Sequence, residues 1–284
     1  MAIVRKAVAI DFEKTYHLFV KFNDSRLSKD DWRQLFVDHW QSNEGYIGYV
    51  LEDRERIVGF LGLMFSHRIL NGQQEKFCNL TSWVVEEGFR NQSLLLILPV
   101  LKLTDYTLTI HTASKETYAV ARKLGFIDLE SNFRVILSLP SINILFTSCQ
   151  IEINKKHLKE ILEGESLQAY KAHLEFRCFH VYVRSSLGNC YLIGARVFRK
   201  NLPFAQIYHV SDPKVFAKFA HRIASVVGLR IKAFAILVDE RFLEGNSILQ
   251  SFTCSLPNSR VYKSSSLGKN DIDLLYSEYP ALNI

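Results

Sequence analysis

The sequence predicts an α/β protein with a mixed sheet, the same plan appearing twice along the chain. Three observations predict it. Strand-type alternation takes turns with helical spacing, two three-stranded meanders stand at corresponding places, and each is followed by a helix and a further strand. The chain has 284 residues, 48% hydrophobic and 23% charged, with 13 Gly and 6 Pro. That is enough apolar material for a large core, and it excludes disorder, collagen-like repeats and low-complexity scaffolds. At about 100–200 residues per domain, two domains are expected, residues 1–140 and 141–284.

Residues 3–8 alternate apolar and basic side chains as a half-buried strand does, and Asp11 then opens a segment in which Phe12, Tyr16, Phe19 and Val20 recur at helical spacing. Ser28 is placed to cap a second helix through His39. Its hydroxyl can accept from the amide of Asp30 or Asp31, whose carboxylates favour the positive end of the helix dipole. The aromatic pairs Phe19/Phe22 and Trp32/Phe36 read as core stripes of these two helices. Residues 46–51 and 57–69 read as strands joined by the charged turn Glu52-Asp53-Arg54-Glu55, and Asn71-Gly72 is a hairpin signal leading into residues 74–85. A polar turn over 86–93 precedes 94–103, an apolar run long enough for a buried helix. Residues 106–111 form a strand, Ser114 caps a helix that Gly125 closes, and 133–139 is one more strand.

The second half follows the same order. A helical segment over 155–170 precedes strands over 179–184, 190–198 and 203–210. Ser211-Asp212-Pro213 caps a helix over 214–227, with proline at its favoured first position, and 232–238 returns as a strand. Spacings repeat as well: Tyr49 to Gly59 is 10 positions and Val183 to Gly194 is 11, while Val85 to Ile110 is 25 and Val210 to Ile236 is 26. An internal structural duplication follows. Residues 142–153 are largely apolar, with no linker composition, so the halves are expected to share an interface. The tail reads as a polar loop over 263–268 and a closing helix over 270–276, with no chemistry assigned.

The net charge of +6 lies in the second half, where 18 Lys+Arg face 12 Asp+Glu, against 17 and 17 up to Pro140. The cations are dispersed and no nucleic-acid-binding motif accompanies them, so a nucleic-acid partner is not expected. An acidic or phosphorylated small molecule fits the excess, and so does ordinary surface solvation. No apolar core of a signal peptide follows Met1, and the longest apolar run, residues 94–101, is interrupted by Pro99 and far shorter than the roughly 20 residues of a membrane span. Neither a leader nor a membrane partner is expected. Five scattered cysteines without CxxC or Cys/His clustering read as reduced, mostly buried thiols of a cytoplasmic protein. The histidines show no metal-ligand spacing, so no metal is expected. Gly-x-Ser-x-Gly, Walker and GxGxxG motifs are absent, which excludes the hydrolase elbow and the nucleotide loops.

Three stretches carry a resemblance: the helix from Ser114 through Leu124-Gly125-Phe126; Ile57-Val58-Gly59-Phe60-Leu61 after the charged turn; and Trp83-Val84-Val85 followed by Glu86-Glu87-Gly88-Phe89-Arg90. With the order of elements, they resemble the GCN5-related N-acetyltransferase (GNAT) superfamily over roughly residues 3–140. The resemblance implies a tandem GNAT-like fold with a degenerate second copy. It implies transfer of an acyl group from acetyl-CoA or a longer acyl-CoA to an amine or sugar-like hydroxyl of a small-molecule acceptor. The implied cofactor-binding residues are Val84, Val85, Arg90, Asn91, Gln92, Ser93, Leu94, Leu95 and Ser114. Outward-pointing amides at the start of a helix hold a pyrophosphate without dedicated side chains.

Departures from the family pattern accompany the matches. In Arg/Gln-x-x-Gly-x-Gly/Ala, Arg90 matches but Ser93 and Leu95 replace the small residues, and glycine is used where a backbone must approach a ligand closely. Ala121 stands where many members carry a tyrosine acid, and Ser114 where an asparagine is common. Tyr118, one turn earlier, is the candidate acid. His111 is the candidate base, since an imidazole with a pKa near about 6.5 suits proton abstraction near neutrality; packing roles are the alternative for both. In the second copy, Ser211-Asp212-Pro213-Lys214 lacks the arginine and glycines, and Asp212 repels phosphate. That half is expected to shape the acceptor site with Arg184, Arg196 and Arg199, unless these arginines only line exposed strands. Two other readings stay open: a catalytically inactive GNAT-like binding or scaffold protein, and a tandem GNAT resembling aminoacyl-tRNA-dependent peptidyltransferases.

Overall fold

The computed structural model describes residues 2–139 and 148–284. The boundary expected at 140, with most of the apolar stretch after it, lies outside the described residues. Two compact units emerge, and each is discontinuous: Met1–Leu129, Arg260–Gly268 and Tyr276–Leu282 form the first, and Glu130–Ser259, Lys269–Leu275 and Asn283–Ile284 the second.

The first unit runs β1 (Ile3–Ala7), α1 (Phe12–Phe19), α2 (Lys29–Arg33), β2 (Gly48–Asp53), β3 (Arg56–Leu70), β4 (Gln73–Val85), β5 (Tyr106–Ile110), α3 (Lys115–Lys123) and the start of β6 (Ile127–Leu137). Local chemistry sets most boundaries. Ser28 accepts from the Asp31 amide at 3.2 Å while Asp31 accepts from the Ser28 amide at 2.8 Å, a reciprocal cap. The turns at Arg54-Glu55 (φ 49° and 67°) and Asn71-Gly72 (φ 52° and 76°) are left-handed at both central residues, the form that matches strand twist. The second helix stops short of His39. Asp38 accepts from the amides of Ser42 and Asn43 at 3.0 and 3.1 Å, and this local turn competes with helix continuation. Of the expected core stripes, Phe19, Trp32 and Phe36 are buried, Phe19 stacking on Trp32 at 5.0 Å and Phe60 meeting Phe19 and Phe36 at 5.4 and 5.1 Å, whereas Phe22 is exposed.

Between β4 and β5 the expected α-helix is replaced by 3-10 turns over Glu87–Leu96 and Val100–Lys102. Pro99 is the cause: it offers no amide to Leu95, and its ring crowds that carbonyl, so an α-helical ladder cannot run through the segment. Its burial is only partly as expected: Leu96, Ile97 and Val100 pack with Leu51, Leu61, Leu80 and Phe126, whereas Leu94, Leu95 and Leu98 are exposed.

The second unit repeats the connectivity: β7 (Cys149–Glu152), α4 (Lys155–Ile161), α5 (Gly164–Ala172), β8 (Cys178–Ser185), β9 (Gly188–Arg199), β10 (Leu202–Val210), α6 (Pro213–Ile231) and β11 (Ala235–Asp239). The single helix expected over 155–170 is two, broken at Gly164 with φ 54°. Here the segment after the meander is a true α-helix of 19 residues, capped by Asp212 accepting from Val215 N at 2.8 Å. The chain ends with β12 (Phe252–Lys263) and α7 (Glu278–Leu282). The closing helix therefore starts later than expected, and a strand precedes it where none was expected.

Within the first unit the strand order is β1-β2-β3-β4-β5-β12, and within the second β7-β8-β9-β10-β11-β6. The pairs β1–β2, β2–β3, β3–β4, β5–β12, β6–β11, β7–β8, β8–β9 and β9–β10 are antiparallel, and β4–β5 and β10–β11 are parallel. The first unit thus takes its sixth strand from near the end of the chain, while in the second β6, which precedes β7 in sequence, lies beside β11. Four of the five cysteines are buried, only Cys254 is exposed, and none is in a disulfide. Among the described residues no helix is long and apolar enough to cross a membrane.

Candidate functional site

β4 and β5 begin as a parallel pair and then part. Their register covers Lys76↔Tyr106 to Asn79↔Thr109, while β4 continues to Val85 beside β3 alone. A bulge accompanies the parting. Phe60 pairs with Val84 and Gly62 with Thr81, so Ser82 and Trp83 together face Leu61, and Ser82 adopts φ 51°. Glu86 N donates to Val58 O at 2.8 Å. Backbone groups alternate between the two edges of an antiparallel strand, so Val85 turns its amide and carbonyl to the edge that β5 has left. Open donors and acceptors there suit an extended, amide-bearing ligand.

The chain then enters the 3-10 segment. Glu86, at its head, is held by Arg56 at 2.5 Å and His17 at 3.1 Å. Arg90, Asn91, Leu94 and Leu95 are exposed, and Gln92 and Ser93 half-buried. The indole N–H of Trp83 and the side-chain carbonyl of Gln92 are buried and make no hydrogen bond among the described residues, which native interiors seldom tolerate without a ligand or water. Gly59 is required behind this strand end, because a Cβ there would lie 3.0 Å from Val85 Cγ2.

On the other sheet face, where β4 and β5 separate, a buried polar network gathers. Thr109 Oγ1 donates to Asn79 Oδ1 at 3.1 Å, Asn79 Nδ2 donates to Glu278, and Thr112 Oγ1 donates to Glu278 Oε1 at 2.8 Å. Glu278 is fully buried, and burial raises its carboxyl pKa against the opposing pull of Thr112, Asn79 and Arg260. Arg260 donates to Tyr279 Oη at 3.0 Å, and the Tyr279 ring lies 6.1 Å from that of His111.

Comparison with solved structures identifies the fold of this arrangement. A GCN5-related N-acetyltransferase from Anabaena variabilis aligns over 92% of this chain and 72% of its own, with a TM-score of 0.58 at 8% identity. One from Kribbella flavida aligns over 92% and 70%, with a TM-score of 0.58 at 11% identity. A proposed acetyltransferase from Pyrococcus horikoshii covers 96% and 93%, with a TM-score of 0.56 at 15% identity. The chain has the GNAT fold. No protein-family model matches its sequence, and no curated protein is similar to it in sequence.

In the GNAT frame the sequence-predicted residues fall into two groups. Val84 and Val85 end β4, residues 90–95 form the following turn, and Ser114 caps α3 by accepting from Thr117 N at 3.1 Å. The candidate acid and base are not brought together. His111 is 5% exposed at the end of β5, near Tyr279. Tyr118 donates its hydroxyl proton to Asp128 at 3.0 Å, on the start of β6. Sequence reasoning missed Asn79, Thr112, Arg260 and Glu278. The one signal available was an acidic residue inside the otherwise apolar run around Leu274-Leu275 and Pro280-Ala281-Leu282.

Proposed function

We propose that this chain is an acyl-CoA-dependent acyltransferase, taking acetyl-CoA or a longer acyl-CoA and an amine- or hydroxyl-bearing small-molecule acceptor with an acidic or phosphorylated group. The observation that carries it is the parting of β4 and β5 at Asn79/Thr109, which turns the Val85 amide to an open edge directly before the Arg90 turn. The thioester carbonyl belongs opposite the Val85 N–H, the pantetheine along the rest of that edge, and the pyrophosphate over the amides of residues 90–95 with Arg90 beside them. Ser93 retains its amide for this, and Trp83 and Gln92 supply two buried polar groups that lack partners. The co-substrate brings the activated acyl group. The chain's residues orient it; as the acceptor nitrogen or oxygen bonds to the acyl carbon and the C–S bond breaks, the acceptor's proton passes to His111, whose ring lies 6.1 Å from that of Tyr279, and the CoA thiolate takes up a proton in its place.

A second reading, a GNAT-like protein that binds without turnover, is favoured by one observation: Leu95 is 40% exposed where the family pattern calls for a small residue. A screen of amine and amino-sugar acceptors, following free thiol released from acetyl-CoA and octanoyl-CoA, separates the two. Turnover above background that is lost in Arg90→Glu supports the enzyme. Tight acyl-CoA binding with no thiol release from any acceptor favours the binding protein. The peptidyltransferase-like reading draws no support from the geometry.

A further inference from the structure

The second unit holds a cavity of about 660 Å³, within the range of small-molecule sites. It arises from a short strand. β7 pairs with residues 182–185 of β8 only, leaving residues 178–181 without a partner strand on that edge among the described residues. In the first unit the equivalent strand, β1, pairs with β2 from Gly48 to Glu52 and leaves no such gap. The space beside residues 178–181 is closed by the start of α4 and the end of α6.

Its lining divides by polarity. Ile153, Val181, Val227 and Ile231 supply apolar wall, while Lys155 and Arg230 are exposed cations, and neither has a carboxylate within ion-pair distance among the described residues. His180 is 3% exposed and lines the same cavity. Its Nδ1 is 2.7 Å from Tyr191 Oη. Either the Tyr191 hydroxyl proton or the Nδ1–H of the neutral ring can make this bond. Nε2 is buried as well, with the His173 backbone near the ring. Burial, with Lys155 and His173 adding to it, pushes the ring's pKa down to about 3, so the imidazole is neutral and the cavity's positive charge sits on the two cations.

We propose that this cavity is a second ligand site, which takes an organic anion with an apolar body: its carboxylate or phosphate head meets Lys155 and Arg230, and its body covers Val181 and Val227 beside the His180 ring. Charge and apolar wall act together here, so neither a bare anion nor a neutral alcohol satisfies the site. The site is separate from the β4 edge and does not depend on acyl transfer.

Titration calorimetry of the full chain with octanoate, octyl phosphate, inorganic phosphate and octanol tests it, with histidine side-chain NMR locating the ligand. At least one of octanoate and octyl phosphate is expected to bind, and the stronger identifies the head group. Inorganic phosphate and octanol bind at least tenfold more weakly. Binding shifts the His180 ring resonances, falls at least tenfold in the surface variant Lys155→Glu/Arg230→Glu, and persists in Arg90→Glu. The proposal is overturned if neither amphiphilic anion binds, if octanol binds as well as they do, or if binding leaves His180 unmoved or survives the double charge reversal.

Discussion

Replacing Glu278 by alanine removes the acceptor on which the buried network converges. Asn79 Nδ2 and Thr112 Oγ1 both donate to this carboxylate, and its own exposure is zero. Each buried donor left unpaired costs about 1–3 kcal/mol, and Arg260 loses a nearby countercharge in the core. The expected loss for Glu278→Ala is therefore about 3–5 kcal/mol, or a fall in Tm of about 10 °C for a chain of this size. Glu278→Gln keeps the oxygen that Asn79 needs, and the Thr112 hydroxyl can turn to accept from the new amide, so its cost is about 1 kcal/mol. pH separates the two forms of the acid. Burial raises the Glu278 pKa, so the folded protein keeps a proton that the unfolded chain has released. Stability from this group is present at low pH and falls as pH rises from the ordinary carboxylate range through the raised folded value. Glu278→Gln flattens that slope. Urea unfolding of the three proteins between about pH 4 and 8 reads all of this. A Glu278→Ala loss below 1 kcal/mol, or Glu278→Gln as damaging as Glu278→Ala, would refute the reasoning.

The other expectations concern the sheet and the proton route. Gly48→Ala places a Cβ 2.3 Å from the Leu61 carbonyl oxygen at φ 156°, so a loss of about 3 kcal/mol is expected by chemical denaturation; a loss under 1 kcal/mol contradicts the β2–β3 register. His111→Ala is expected to lower kcat about 10²-fold or more in a thiol-release assay; an unchanged rate removes His111 from the proton path. Tyr118→Phe is expected to change kcat less than threefold, because Asp128 already holds the hydroxyl proton, and a loss of 10²-fold would restore it as the acid.

Where the determinants are local, the fold was legible in the sequence. Ser28, Ser114 and Asp212 cap the helices they were expected to cap, and Asn71-Gly72 makes the expected left-handed turn. The order of both meanders follows from period-2 alternation. Determinants that lie far apart were not visible. β12 pairs Val261 with Ile110, yet its polar start and Pro257 argue locally against a strand. The bulge at Ser82 leaves no compositional mark, since serine is not a residue that left-handed positions select. Arg90 and the β4 end were found through motif spacing, whereas Glu278 is 199 residues from Asn79, and only the folded chain shows the two in contact.

Binding of the co-substrate tests the central proposal most directly. Thermal unfolding with millimolar acetyl-CoA, longer acyl-CoAs and free CoA, beside the Arg90→Glu variant, measures it. At a ligand concentration about 100 times Kd, mass action adds about 2.7 kcal/mol. At least one acyl-CoA is expected to raise the midpoint, and Arg90→Glu to reduce that rise by about tenfold in apparent affinity. If no CoA species moves the midpoint, or the variant responds as the wild type does, the β4 edge and the Arg90 turn do not hold an acyl-CoA.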